Sequence, residues 1–388
     1  MNICYLIPFL DSTVKDWSLT ARLMRWLTFL WLAIGLLVLF SASYYHGVTT
    51  QKDGFYYLTR QVVAISVSLF IFNVIIHSPL HRPLKMAKWI LISMLVLLLL
   101  TVFTSLGKNT MGATRWIPIG PIQLQPSELI KPFLVLQGAI VFGQWKKHST
   151  QKKAIWLLIF ATVLLAILKQ PNLSTTSLCA IGLWTIAFAA GLPLLYLIGT
   201  AVGGVLVAGI SMMINPYQLT RMLSFLNPWA DAQKEGFQLV QSILAIGSGG
   251  LWGNGLGLSQ QKSGYLPIED TDFIFSVFAE EFGLIGSILL LLLVMSYATL
   301  GLLIALRSDR LVHRLVAIGA TTFIVLQSLL NIGVAAGALP TTGLPLPMFS
   351  YGGSSIVASL IQSALLIRVA RESAEAKIIP LRAKQSLV

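Results

Sequence analysis

The sequence predicts an all-α polytopic membrane protein, and three observations carry that prediction. Of 388 residues, 56% are hydrophobic and only 11% charged, with a mean hydropathy of +0.79, far more apolar than a soluble domain needs. Apolar stretches of about 18 residues or more, each able to cross roughly 30 Å of hydrocarbon, recur along the whole chain. Lys and Arg gather in alternate connecting segments, which signals a fixed orientation across a bilayer. A segment in hydrocarbon must satisfy its own backbone hydrogen bonds, so these stretches are read as helices.

The pattern places about ten transmembrane helices, at roughly 26–43, 61–77, 88–106, 127–143, 154–170, 173–190, 192–214, 273–306, 315–337 and 354–370. The eighth is long enough to hold a short helix or re-entrant piece before the span proper. Residues 1–25 form an N-terminal segment, 26–370 one membrane domain, and 371–388 a basic tail. No short apolar core ends in a small-residue cleavage site near the start, so the first span is expected to stay uncleaved.

With both termini cytoplasmic, the inner segments carry Lys15, Arg22 and Arg25, then Arg82, Lys85 and Lys88. They also carry Lys146, Lys147, Lys152, Lys153, Arg307, Arg310 and Arg314, and the basic residues of the tail. The outer segments carry fewer, spread over more residues: Lys52, Arg60, Lys108, Arg115, Lys169, Arg221, Lys234 and Lys262. The net charge of +13 is therefore mostly an orientation signal and does not point to nucleic acid. Cys4 and Cys179 lie far apart, and the five His (His46, His77, His81, His148, His313) are scattered. Neither set has metal-ligand spacing.

One outer loop, residues 215–271, lies between the seventh and eighth spans. Its first part, NPYQLTRMLSFLNPWADAQKEGFQLVQSILAIG, mixes apolar residues with Arg221, Asp231, Lys234 and Glu235, which suits helices along a membrane surface. The glycine-rich GSGGLWGNGLGLSQ follows and implies tight turns or close backbone approach, against a merely flexible loop.

Four stretches carry chemistry. In YLPIEDTDFIFSVFAEEFG, Tyr265–Gly283, five acids crowd the mouth of an apolar segment in a chain with only 14 Asp and Glu. Burial there raises a carboxylate pKa, which suits Asp272 to general-base work. If the helix begins at once, Asp272 shares a face with Ser276; the alternative is that Asp272 merely caps the helix. In GATRWIPIGPIQLQPSELIKP, Gly112–Pro132, Arg115 lies outside. Ser127 can cap the following helix, and Glu128 and Lys131 can pair at i,i+3 inside the membrane. In LKQPNLSTTS, Pro171 breaks one span and Asn172 or Ser174 can cap the next. In NIGVAAGALPTTGLPLPMFSYGGSS, the prolines forbid a continuous helix. A loop dipping back toward the outer face is expected, with Ser350 and Tyr351 placed to hydrogen-bond a polar ligand. Carboxylates, cations and Gly-rich backbone on one face suit a lipid-tailed substrate with an anionic head.

These blocks resemble the SEDS (shape, elongation, division and sporulation) family of bacterial peptidoglycan glycosyltransferases, from FSAS at Phe40–Ser43 to SYGGSS at Ser350–Ser355. The carriers are GATRWIPIG, QPSELIK, RMLSFLNPWAD, GFQLVQSILAIGSGGLWGNGLG, TDFIF, AEEFGLIG and LPTTGLPLPMFSYGGSS. NPWAD followed by GLGLSQQK resembles the cell-division branch more than the elongation branch. The resemblance implies a ten-span enzyme of the bacterial cytoplasmic membrane that polymerises lipid II, with inversion, at the outer face. It implies Asp272 as the base toward the acceptor 4-hydroxyl. Arg115, Lys131 and Arg221 would serve the pyrophosphate, and Glu128, Glu269, Asp270, Ser276, Ser350 and Tyr351 complete the substrate site. No cofactor is demanded, with room for a divalent cation, Mg or Mn. A class B penicillin-binding transpeptidase is the implied partner, beside other division or elongation proteins. The chain departs from the family pattern at Asp270 (commonly His), Ile268 (often Glu), Asn172 (Asp) and Ser174 (Gly). A lipid II flippase and a non-catalytic scaffold are the competing functions.

Overall fold

The computed structural model describes residues 11–104, 108–110, 113–120, 122–234, 236–267 and 269–385. Cys4, Gly112, Glu235 and Ile268, drawn on above, lie outside them. Three helices open the fold: α1 (Leu19–Gln51), α2 (Tyr56–His77) and α3 (His81–Phe103). A small antiparallel sheet follows, in order β1 (Lys108–Thr110), β2 (Ala113–Ile119), β3 (Ile122–Leu124). Then come α4 (Pro126–Leu129), α5 (Lys131–Gly143), α6 (Thr150–Lys169), α7 (Leu173–Ala189) and α8 (Leu194–Ile214). The long loop contains α9 (Pro216–Leu226) and α10 (Phe237–Ser248), and α11 (Ile274–Arg307), α12 (Leu311–Ala335) and α13 (Gly353–Gln385) complete the chain.

Among the described residues, eight helices are long and apolar enough to cross a membrane: α1, α2, α3, α6, α8, α11, α12 and the Gly353–Ala374 part of α13. The predicted spans at 127–143 and 173–190 fall on shorter helices, α4 with α5 and the 17-residue α7. Helix α13 is central, with 89% of its apolar window buried, whereas α8 has 11%. The exposed Leu, Ile and Val of α8 are what a lipid-facing helix presents.

Helix boundaries follow local chemistry. The Ser18 side chain accepts from the Ala21 N–H at the start of α1, and Ser149 from Lys152 at the start of α6, each supplying a partner for an otherwise orphaned donor. Asn172 caps α7 through the Thr175 N–H, 3.2 Å. The expected Ser127 cap is not formed: α4 starts at Pro126, so Ser127 lies inside its first turn, buried.

The anticipated short helix ahead of the eighth span is the first part of α11, which breaks at Gly283 (φ 66°, ψ −165°). The glycine-rich loop repairs the break. Asn254 and Gly255 N–H groups donate to the Glu280 and Glu281 carbonyls at 2.9 and 3.0 Å. The Leu284 and Ile285 N–H groups donate to Gly250 and Leu251. A Cβ on Gly283 would collide with the backbone of Gly253 and Leu251. Close backbone approach, not looseness, is what this run of glycines provides. Helix α10 is packed into the bundle rather than laid along its edge, with Leu239, Val240, Ser242 and Ala245 buried.

Candidate functional site at the mouth of helix α11

Asp272 precedes α11 in a turn; the helix cap is Phe273, with no side-chain capping bond. The capping alternative and the shared helical face with Ser276 are therefore both corrected: the helix starts one residue too late for Asp272 to cap it and two too late for Asp272 to lie on it. Ser276 is buried, its hydroxyl 2.6 Å from that of Ser242, which donates to the Ala335 carbonyl. It joins α10 to α11 and the end of α12.

The turn is held by its carbonyls, leaving its carboxylates to the site. The Tyr351 N–H donates to the Asp270 carbonyl at 2.8 Å, the Ser350 hydroxyl to that of Thr271 at 2.5 Å, and Asn331 Nδ2 to that of Asp272 at 2.8 Å. Ser350 and Tyr351 belong to the predicted non-helical segment between α12 and α13. That segment dips into the protein: Leu344, Leu346, Met348 and Phe349 are buried, and its Leu344 and Pro345 carbonyls accept from Asn331 and Gln327 of α12. Irregular backbone is tolerated at such depth because protein side chains satisfy it.

Glu128 and Lys131 pair as their spacing predicts, 2.6 Å apart and buried. Lys131 also donates to Gln327 at 2.8 Å. The chain Glu128–Lys131–Gln327–Pro345 thus ties α4 and α5 to the dipping segment that holds Asp272. Gln327 and Asn331 were missed as candidates. Their signal was present: two amides one helical turn apart in a mainly apolar helix.

Arg115 leaves β2 and donates to the Gln170 and Pro171 carbonyls at 3.1 and 2.8 Å. Arg221, from α9, reaches the Thr341 carbonyl at 3.5 Å. Both guanidinium groups line a cleft of about 90 Å³ whose walls include Asn172, Gln218, Thr341 and Thr342. Gly343 (φ 68°) borders both the acid and Arg115: a Cβ there would lie 3.6 Å from Asp272 Oδ2 and 4.0 Å from Arg115 Nη1. Burial pushes the Asp272 pKa up to about 6. Arg221 and Arg115 oppose that rise, while Asp270 and Glu128 add to it. An acid in this setting is ionised near neutrality yet basic enough to accept a proton.

Glu269 and Asp270 are buried beside His46 of α1. Burial raises both, Glu269 to about 7. Glu280 and Glu281 belong to the fold instead. Glu280 accepts from Ser259 Oγ (2.5 Å) and the Gln260 N–H (2.9 Å), and Glu281 from Ser41 Oγ (2.5 Å) and Lys262 Nζ (2.6 Å). Among the described residues, no three His, Cys, Asp or Glu side chains come together as a metal site.

The profile of the FtsW/RodA/SpoVE family, a cell cycle protein family, matches residues 21–375. The chain belongs to this family. It is 53% identical to the "Probable peptidoglycan glycosyltransferase FtsW" of Synechocystis sp., over 98% of this chain and 96% of that one. It is 34% identical to the protein of the same description from Aliivibrio salmonicida, over 94% of each. Among solved structures, the fold is similar to a chain described under structural coordination of polymerization and crosslinking by a peptidoglycan synthase complex. There the TM-score is 0.72, with 28% identity, over 90% of this chain and 97% of that one. The rod shape determining protein RodA of Thermus thermophilus gives a TM-score of 0.66 with 29% identity, over 90% and 96% of the two chains. Family membership thus covers the turn, the cleft and the dipping segment together.

Proposed function

We propose that this chain is an inverting peptidoglycan glycosyltransferase that polymerises lipid II at the outer face of the bacterial cytoplasmic membrane, in septal wall synthesis. The observation that carries the reading is a carboxylate of raised pKa, Asp272, at a glycine, Gly343, that also borders Arg115 of a cleft lined by Arg115 and Arg221. Asp272 takes the proton of the acceptor 4-hydroxyl. The freed oxygen attacks the donor anomeric carbon, and the lipid pyrophosphate leaves with the electrons of the broken bond. Arg115 and Arg221 meet the charge that develops on the leaving group. Lys131, already engaged by Glu128 and Gln327, acts by propping the dipping segment that fixes Asp272. Ser350 does the same through the Thr271 carbonyl.

The ten-span layout, with α4–α5 and α7 counted as crossings and both termini cytoplasmic, belongs to the same reading, supported by the Lys and Arg distribution. So does a class B penicillin-binding transpeptidase as partner, supported by the similarity to a chain of a synthase complex. A divalent cation, Mg or Mn, would add positive charge at the leaving group; among the described residues no three His, Cys, Asp or Glu form a cluster to hold it.

The test is lipid II polymerisation by the chain purified with its transpeptidase partner, wild type against Asp272→Ala. Polymer from the wild type alone supports the reading. Equal polymer from both removes Asp272 from the chemistry. Lipid II crossing vesicle bilayers without polymer would favour the flippase.

A further inference from the structure

His46 carries no role in the chemistry above, yet it stands where the acids are least balanced. It lies near the outer end of α1, 3.8 Å through Nδ1 from both Glu269 Oε1 and Asp270 Oδ2. That nitrogen is buried and makes no hydrogen bond among the described residues. The Nε2 side faces the Tyr57 hydroxyl at 3.4 Å, and about a third of the side chain remains exposed. Glu269 and Asp270 are 7% and 4% exposed, and among the described residues His46 is the only ion-pair partner of either. Two carboxylates buried together cannot both stay ionised without a positive charge.

Other charged and titratable groups lie nearby. Arg60 lies over the Tyr56 ring, 4.3 Å from its centroid, and bonds the Tyr351 hydroxyl. Tyr351 also packs edge-on against Tyr57. Arg115, Arg221 and Glu128 act on Asp272. Asp270 acts on Asp272 as well. The Asp270 and Asp272 carbonyls are pinned by Tyr351 and Asn331, so the backbone that carries the two acids is fixed.

We infer that His46 is a positioning residue for the reaction: it is the counter-charge that keeps Asp270 ionised, and through Asp270 it sets the basicity of Asp272. The inference rests on Asp272 being the base. Removing the imidazole lets Asp270 hold a proton through the neutral range. Asp272 then loses its negative neighbour and becomes a weaker base that ionises at lower pH. His46→Gln and Asp270→Asn should therefore act in the same direction and through the same step.

The experiment is the pH–rate profile of lipid II polymerisation by the full chain with its partner, for wild type, His46→Gln, His46→Lys, Asp270→Asn and the His46→Gln/Asp270→Asn double variant. The acid limb should move down by roughly half to one pH unit in His46→Gln and in Asp270→Asn. It should move no further in the double variant and keep its wild-type position in His46→Lys, which retains a positive charge. A His46→Gln profile that only drops in height would assign His46 a packing role and overturn the inference, as would additive shifts in the double variant. A readout independent of turnover is carbodiimide modification of Asp270 and Glu269, which requires the protonated acid. In His46→Gln it should persist to higher pH, and an unchanged pH dependence would equally overturn the inference. Failure of the base reading shows separately, as polymer from Asp272→Ala.

Discussion

The two halves of Tyr265–Gly283 use the same side chains to opposite ends. Glu280 and Glu281 sit inside α11, and their carboxylates are filled by Ser259, Gln260, Ser41 and Lys262. They pin the glycine-rich loop over the Gly283 break. Glu269, Asp270 and Asp272 sit eight or more residues earlier, outside the helix. There the backbone is pinned and the carboxylates answer to burial and to charge. A carboxylate saturated by local donors stabilises a fold; one held rigidly with its proton affinity raised can do chemistry.

Substitutions can break this contrast. The largest effect is expected at the chemical end: Asp272→Asn should lower the polymerisation rate by about 10²–10⁴-fold, the usual worth of a general base, with no loss of Tm, since the neutral amide removes a buried charge. In the wild type the rate should fall as pH drops through about 6, because protonated Asp272 cannot accept the hydroxyl proton. A rate flat from pH 8 to 5 would remove the acid from the rate law.

At the structural end, Glu281→Gln breaks a buried ion pair and leaves Lys262 charged and buried, which costs about 3–5 kcal/mol. Thermal unfolding of the detergent-solubilised protein would show a lower Tm, with polymer still formed below it. Gly283→Ala places a Cβ against backbone at a positive φ, a strain of about 1–3 kcal/mol or more, again read as Tm. The smallest effect is at the join between the halves. Asn331→Ala removes the donor shared by the Asp272 and Leu344 carbonyls, worth about 1 kcal/mol. It should lower kcat more than it raises KM, since it loosens the base and leaves the cleft intact.

Much of this was legible in the residues. Apolar length gave the eight helices that are long enough to span among the described residues. The prolines of Pro340–Pro347 gave the dipping segment, and i,i+3 spacing gave Glu128–Lys131. Asp272 stood out because acids are rare in this chain. What escaped depends on contacts distant in sequence. The β1–β3 sheet is built from short strands with no alternation to read. The break at Gly283 is made possible by a loop some thirty residues earlier, and periodicity does not report such partners. His46 looked like one of five scattered imidazoles until the fold brought the end of α1 against Glu269 and Asp270. Ser276 was misjudged because the helix was assumed to begin at Asp272, and a shift of two residues changes the face on which a side chain lies.

The most direct test runs two variants side by side, measuring Tm and lipid II polymerisation on the same preparations of Asp272→Asn and Glu281→Gln. The account predicts that Asp272→Asn melts no lower than the wild type and polymerises at least about 10²-fold more slowly, while Glu281→Gln melts lower and polymerises below its transition. A folded Asp272→Asn that polymerises at the wild-type rate would contradict it.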